Sequence, residues 1–201
     1  RADEAAEETA PLRLEVRLRA PLFDPAERRL SPAEAGTAHH LFMQFCDFSE
    51  AEKPGGVARE LARLAARGIL SEKQAAAVKI PRIEAFFASE LYRGLMKNAK
   101  VRREFKFSVL VPASRYFPAA ESEPEENVLL QGVIDCLIET EDGYVIVDFK
   151  TDRVSERTLP ERAESYRAQL DAYAAAVREI CGGTVLGSIL YFFQTGTVWK
   201  M

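Results

Sequence analysis

Two aspartates and a lysine in the stretch Gln131–Arg153 (QGVIDCLIETEDGYVIVDFKTDR) stand where an apolar hairpin would carry core residues. The segment reads as two strands joined at a turn, with Asp142-Gly143 as the turn signal. Strand alternation puts Asp148 and Lys150 on one face. A two-residue loop sets Asp135 opposite Lys150 and a four-residue loop sets it opposite Asp148; either register gathers all three on one face. Carboxylates so close in a sheet repel each other unless something compensates them. A divalent cation would do so, and hard oxygen donors select magnesium or manganese over zinc. Two carboxylates, such an ion and a neighbouring lysine suit phosphodiester hydrolysis: the ion polarises the phosphate and acidifies a water, while the lysine orients that water or balances charge. The bland alternative is a solvated strand end where Asp148 and Lys150 merely pair as ions.

Three further groups have a chemical reading. Gly36-Thr37-Ala38-His39-His40 holds both histidines of the chain, on a segment with helical periodicity that places His40 and Gln44 on one face. If that helix packs over the hairpin, His40 is a candidate metal ligand or proton carrier. Tyr166, Gln169 and Tyr173 form a stripe at helical spacing. A tyrosine stripe usually packs a core, but a buried glutamine amide must find partners, so Gln169 and Tyr173 are candidates to orient the lysine or a phosphate. Glu104 is a possible additional carboxylate on the preceding strand.

The composition bounds the rest. With 201 residues, 47% hydrophobic and 29% charged, the chain suits one soluble domain. No apolar run reaches the ~20 residues that span a bilayer, and the acidic start does not resemble a signal peptide; a cytoplasmic location is expected. Cys46, Cys136 and Cys181 are isolated, which argues against structural zinc, an iron–sulfur cluster or a disulfide framework. The net charge of −4 does not advertise nucleic-acid capture. Even so, Arg93, Lys97, Lys100, Arg102, Arg103 and Lys106 form a basic run, from which Arg93, Lys97, Arg102 and Arg103 are candidate DNA contacts, with Thr151 and Arg153 beyond the lysine. No G-x-x-x-x-G-K-[ST] occurs, so no ATP site is expected. Arg1 in place of an initiator methionine hints at part of something longer, or at a processed product.

The elements that must position these residues follow from patterning. Residues 1–29 read as a linker or tail with a possible edge strand at Leu12–Arg19. Residues 30–201 read as one domain, with a helical part over 30–98 and a catalytic sheet and helix over 99–201. Ser31, Pro32 and Glu34 are a helix start, and the helix is predicted to reach about Phe48, burying Leu41, Phe42, Phe45 and Phe48. Further helices are predicted at Gly56–Arg67, Ser71–Val78, Pro81–Asn98 and Pro160–Ile180, the last capped by Gly182-Gly183. Strands are predicted at Val101–Val111, Val128–Glu139, Tyr144–Phe149, Thr184–Gln194 and Thr197–Lys200. This is an α/β chain with a mixed sheet, an antiparallel hairpin core flanked by helices, because a strand reached through a crossover helix tends to lie parallel.

Taken together, the order of His40, Asp135, Asp148-x-Lys150 and Gln169-x-x-x-Tyr173 resembles the RecB-like branch of the PD-(D/E)XK (restriction-endonuclease-like) nucleases. Within that branch LSPAEAGTAHHLFMQFCDF, REFKFSVLVPA, QGVIDCLIE, VIVDFKTDRV and YRAQLDAYAAAV are similar to the C-terminal nuclease domains of AddA-type helicase–nuclease chains. The resemblance implies a metal-dependent DNA exonuclease domain acting in double-strand-break repair and recombination. In it His40, Asp135, Asp148 and the backbone carbonyl of Phe149 hold Mg2+ or Mn2+, and Asp135, Asp148, Lys150, Gln169 and Tyr173 are the catalytic set. It further implies single-stranded DNA delivered by a helicase motor in the same longer chain, an AddB-type partner, and no iron–sulfur cluster. A stand-alone RecB-like nuclease, or a DNA-binding or scaffold domain of nuclease fold that does not cut, stays open at this point.

Overall fold

A computed structural model describes residues 30–115 and 126–201; the edge strand expected at Leu12–Arg19 and most of the acidic loop 119–127 lie outside them. The helical part opens with α1 (Pro32–Phe45), where Ser31 Oγ accepts from Glu34 N and the Glu34 carboxylate accepts from Ser31 N, the capping box expected from the sequence. α2 (Phe48–Ala51), α3 (Gly56–Ala66), α4 (Glu72–Ala77) and α5 (Ile80–Ala88) follow, and a π-helical turn spans Leu91–Met96.

Two of the helices predicted in this part are in fact broken. α1 stops at Phe45, not Phe48, because Asp47 starts a new turn by accepting from Ser49 N and Ser49 Oγ. Arg103 takes the freed carbonyls of Met43 and Cys46 at 2.9 and 2.6 Å. Phe45, expected inside, is consequently 42% exposed. The helix expected at Pro81–Asn98 breaks at Ser89, whose hydroxyl donates to Phe86 O and accepts from Tyr92 N, competing with the helical ladder.

The sheet has five strands in the order β1 (Lys100–Pro112), β2 (Asn127–Thr140), β3 (Gly143–Lys150), β4 (Val185–Phe192) and β5 (Thr197–Lys200). All neighbours are antiparallel except β3 and β4, which run parallel. The crossover between them holds α6 (Leu159–Glu164) and α7 (Arg167–Cys181), two helices where one was predicted, followed by Gly182 at φ 65° as the left-handed cap.

Two hydrophobic clusters cover the sheet. α1–α5 and the π-turn pack on one side around Phe42, Phe86, Phe149 and Tyr191; α6 and α7 pack on the other around Phe107, Ile134, Ile146, Leu170 and Leu190. β1 and β2 change sides part-way along. Val101 faces the first cluster, whereas Phe105, Phe107 and Val109 face the second. On β2, Ile138 and Cys136 face the first and Ile134 the second. Strict alternation would keep residues two apart on one side, so the pleat slips by one residue at Glu104 and at Asp135. Glu104 has φ 51°, the only positive value at a non-glycine among the described residues, and ladder pairing resumes around it at Arg103–Cys136 and Phe105–Ile134. The slip brings both acidic residues to the seam between the two layers.

Candidate active site at the seam of the sheet

The β2–β3 register decides how the charged residues meet. Thr140 pairs with Gly143 around a two-residue turn, Glu141-Asp142, and pairing continues to Cys136–Val147. The turn therefore sits one residue earlier than the expected Asp142-Gly143, and Gly143 begins β3. There a Cβ would overlap the carbonyl oxygen of Thr184, so only glycine fits. The same register continued past Val147 sets Asp135 opposite Asp148, the arrangement that the sequence ascribed to a four-residue loop.

Beyond Cys136–Val147 the main-chain ladder opens, and the Asp135 side chain takes over its role. Asp135 Oδ2 accepts from Phe149 N at 2.7 Å, and Oδ1 lies 3.2 Å from His40 Nδ1. α1 brings His40 in from the first layer, with Gly36 one turn earlier. A Cβ on Gly36 would come within 2.8 Å of Thr151 Oγ1, so the missing side chain lets α1 close on the end of β3. Burial alone would lower the His40 pKa, but the hydrogen bond to Asp135 and the nearby carboxylates raise it overall.

His39 has a different part. Its Nδ1 donates to Ala35 O at 2.9 Å and its Nε2 accepts from Lys79 N at 3.2 Å, which fixes a neutral ring with its pKa lowered by burial. It ties α1 to α5.

Asp148 and Lys150 point toward α7. Lys150 Nζ lies 2.5 Å from Asp148 Oδ2, donates to Gln169 Oε1 at 3.0 Å, and sits 3.7 Å above the centre of the Tyr166 ring. Gln169 Nε2 in turn donates to Tyr173 Oη at 2.8 Å. The half-buried amide thus has a partner on its oxygen and another on its nitrogen, and Lys150, Gln169 and Tyr173 form one continuous chain. Tyr173 is anchored edge-on against Phe107, with 5.7 Å between ring centres, and burial pushes its hydroxyl pKa up to about 12. Burial and then Asp135 push the Asp148 carboxyl above its ordinary range, against the pull of Lys150.

The donors can be tested against a divalent ion on one observation. Asp148 Oδ2 is buried yet receives no hydrogen bond in proper geometry; its contact with Lys150 is an ion pair only. A buried carboxylate oxygen left in that state retains capacity for a cation. Among the described residues no three His, Cys, Asp or Glu side chains already form a cage, because His40 is turned to Asp135 and Asp148 to Lys150. The donor chemistry of imidazole, two carboxylates and a carbonyl fits magnesium or manganese once those contacts exchange.

Several expected residues have other partners. Lys97 pairs with Glu52, Arg102 pairs with Glu139, and Arg103 caps α1 while lying over the Phe48 ring. Arg93 and Arg153 are exposed, and Thr151 meets Gly36. Glu104 is half-buried at the seam, its pKa raised by burial and then by Asp135. Two residues absent from the expected site set are part of its surroundings. Tyr166 underlies Lys150 and donates from Oη to Asp152 at 2.7 Å. Asp152 continues the period-2 spacing of Asp148 and Lys150, a signal available in the sequence.

Comparison with known proteins identifies the family. The profile of the PD-(D/E)XK nuclease superfamily matches residues 8–198. Among curated relatives, an ATP-dependent helicase/nuclease subunit of Pelotomaculum thermopropionicum is 40% identical over 176 residues, covering 88% of this chain and 14% of the relative. The protein of the same name from Moorella thermoacetica is 39% identical over 186 residues, 91% of this chain and 13% of the relative. That of Clostridium botulinum (strain Loch Maree) is 33% identical over 197 residues, 97% and 15% respectively. The chain therefore spans about a seventh of the length of these relatives. Over nearly all of its residues, the chain belongs to the PD-(D/E)XK nuclease superfamily.

Proposed function

We propose that the chain is a metal-dependent deoxyribonuclease, the exonuclease module of an ATP-dependent helicase–nuclease acting in the cytoplasm in double-strand-break repair and recombination. The observation that carries this reading is the placement of Lys150 Nζ between Asp148 and Gln169, with Asp135 held at the same end of the hairpin by Phe149 N. A helicase motor elsewhere in a longer chain would deliver single-stranded DNA, and an AddB-type protein would be the partner. The shared name of the relatives supports both assignments.

His40, Asp135, Asp148 and the Phe149 carbonyl would hold the magnesium or manganese ion, with Glu104 a further carboxylate beside Asp135. When bound, the ion supplies positive charge to the scissile phosphate and acidity to a nearby water. Lys150 positions the attacking water or balances the charge that develops on the phosphate. Gln169 and Tyr173 fix the lysine in that direction, so that little reorganisation remains when the phosphate arrives. Asp135 holds the two strands in register through Phe149 N, and its second oxygen fixes His40. Arg93, Thr151 and Arg153 are left as the candidate DNA contacts, since Lys97, Arg102 and Arg103 are engaged elsewhere.

The test is cleavage of end-labelled single-stranded DNA by the chain in manganese, in magnesium and in EDTA. Progressive shortening that needs the metal supports the proposal. Cutting at the same rate in EDTA would contradict the metal dependence, and a limit digest of internal fragments would contradict the exonuclease assignment.

A further inference from the structure

We propose that Tyr166 is a positioning residue for Lys150, its ring serving as the platform that keeps the ammonium aimed at Asp148. This inference rests on the catalytic role proposed for Lys150. An ammonium group has three N–H bonds to direct. One goes to Gln169 Oε1 at 3.0 Å, and Asp148 Oδ2 lies 2.5 Å away on another side. The face of Tyr166 is the third close neighbour, 3.7 Å from Nζ to the ring centre. That separation is well inside the range in which a ring face attracts a cation.

The ring is itself held on its far edge. Tyr166 Oη donates to Asp152 Oδ2 at 2.7 Å, and Asp152 Oδ1 accepts from Arg162 at 2.7 Å. The Arg162 guanidinium lies 4.8 Å from the same ring centre, a second cation on it. Tyr166 occupies the break between α6 and α7, at φ −96° and ψ −3°. The interruption of the expected helix is thus what turns the ring toward Lys150. An ordinary core tyrosine would not need a carboxylate on its hydroxyl and ammonium and guanidinium groups at its face. A lysine stem that could swing freely would spread its ammonium over many rotamers, and the platform removes that freedom before substrate arrives.

The test uses the chain with Tyr166→Leu, Tyr166→Phe and Asp152→Asn, read in two ways. By NMR, the Lys150 Cε protons of the wild type are expected upfield of those of the other lysines, because they lie over a ring face. Tyr166→Phe should keep that shift and Tyr166→Leu should lose it. In metal-dependent cutting of single-stranded DNA, Tyr166→Leu should lower kcat about tenfold, the size of a cation–π contact of middle strength. KM should stay within about twofold, and Tyr166→Phe should restore most of kcat. Asp152→Asn, which leaves the ring in place and its hydroxyl an amide oxygen to donate to, should keep both signals as Tyr166→Phe does. The wild-type shift is read without any variant and tests the inference even if Tyr166→Leu does not fold. Wild-type Lys150 protons without an upfield shift would overturn the inference. So would a folded Tyr166→Leu cutting at the wild-type kcat while the wild type cuts normally. A wild type that cuts nothing overturns the nuclease reading and this inference with it.

Discussion

Phe86, on the side of the sheet facing the N-terminal helices, meets the rings of Phe48, Phe87, Tyr92, Phe149, Tyr191 and Phe193 at centre separations of 5.0 to 6.2 Å. Lys150, at the edge of the other side, meets one carboxylate, one amide and one ring. The first neighbourhood is held by area and ring geometry, and its titratable members, the phenols of Tyr92 and Tyr191, have their pKa pushed up by burial. The second is held by directed polar contacts, each specific to one partner. Because the two share β3, with Phe149 facing one way and Asp148 and Lys150 the other, the aromatic side acts as the wall against which the polar side is set. Damage on one side should therefore appear as lost stability, and damage on the other as lost activity.

The largest expected effect is on the polar side. Asp148→Ala should reduce cleavage by at least about a thousandfold, while circular dichroism still shows a folded chain. A variant that keeps cutting would break the contrast outright. Next is Phe86→Ala, which should cost about 3–5 kcal/mol in urea unfolding. The fraction that stays folded should cut at an undiminished kcat; a kcat loss like that of Asp148→Ala would mean that the wall and the site are one unit. Gln169→Ala should lower kcat by about tenfold to a hundredfold, the range for a residue that orients a catalytic group. Tyr173→Phe should have a smaller effect of the same kind and cost no more than about 1.5 kcal/mol of stability.

The smallest effect concerns acid. His39 is neutral in the fold, and burial lowers its pKa from 6.5. Its stabilisation is therefore complete above that value and is lost as the pH falls through it. His40 has the opposite sign: its pKa is raised, so its contribution is complete below 6.5 and fades as the pH rises. Urea midpoints measured on either side of 6.5 should show less acid sensitivity in His39→Asn than in the wild type. Equal sensitivity would assign the acid response to other groups.

Much of this contrast is legible in the residues. Two aspartates in an apolar hairpin and a glutamine in a tyrosine stripe each violate the pattern around them, and the structure brings Asp135, Asp148, Lys150, Gln169, Tyr173 and His40 to one seam. The strands and the parallel crossover also follow from periodicity and length. What the sequence did not disclose has local causes. Ser89 and Asp47 end helices by bonding the backbone with their side chains, and helical periodicity is blind to such competition. The pleat slip at Glu104 rests on one left-handed residue, with no glycine to signal it. The turn lies at Glu141-Asp142 because Gly143 is needed against Thr184, a contact between distant parts of the chain. Tyr166 escaped the site set because only the break between α6 and α7 turns its ring toward Lys150.

The most direct test of the central claim is metal-dependent cutting of labelled single-stranded DNA by the wild type beside Lys150→Ala, both shown to be folded. We expect cutting in manganese or magnesium by the wild type, none in EDTA, and a loss of about a thousandfold or more in Lys150→Ala. Equal cutting by the two proteins would contradict the assignment of the reaction to this seam.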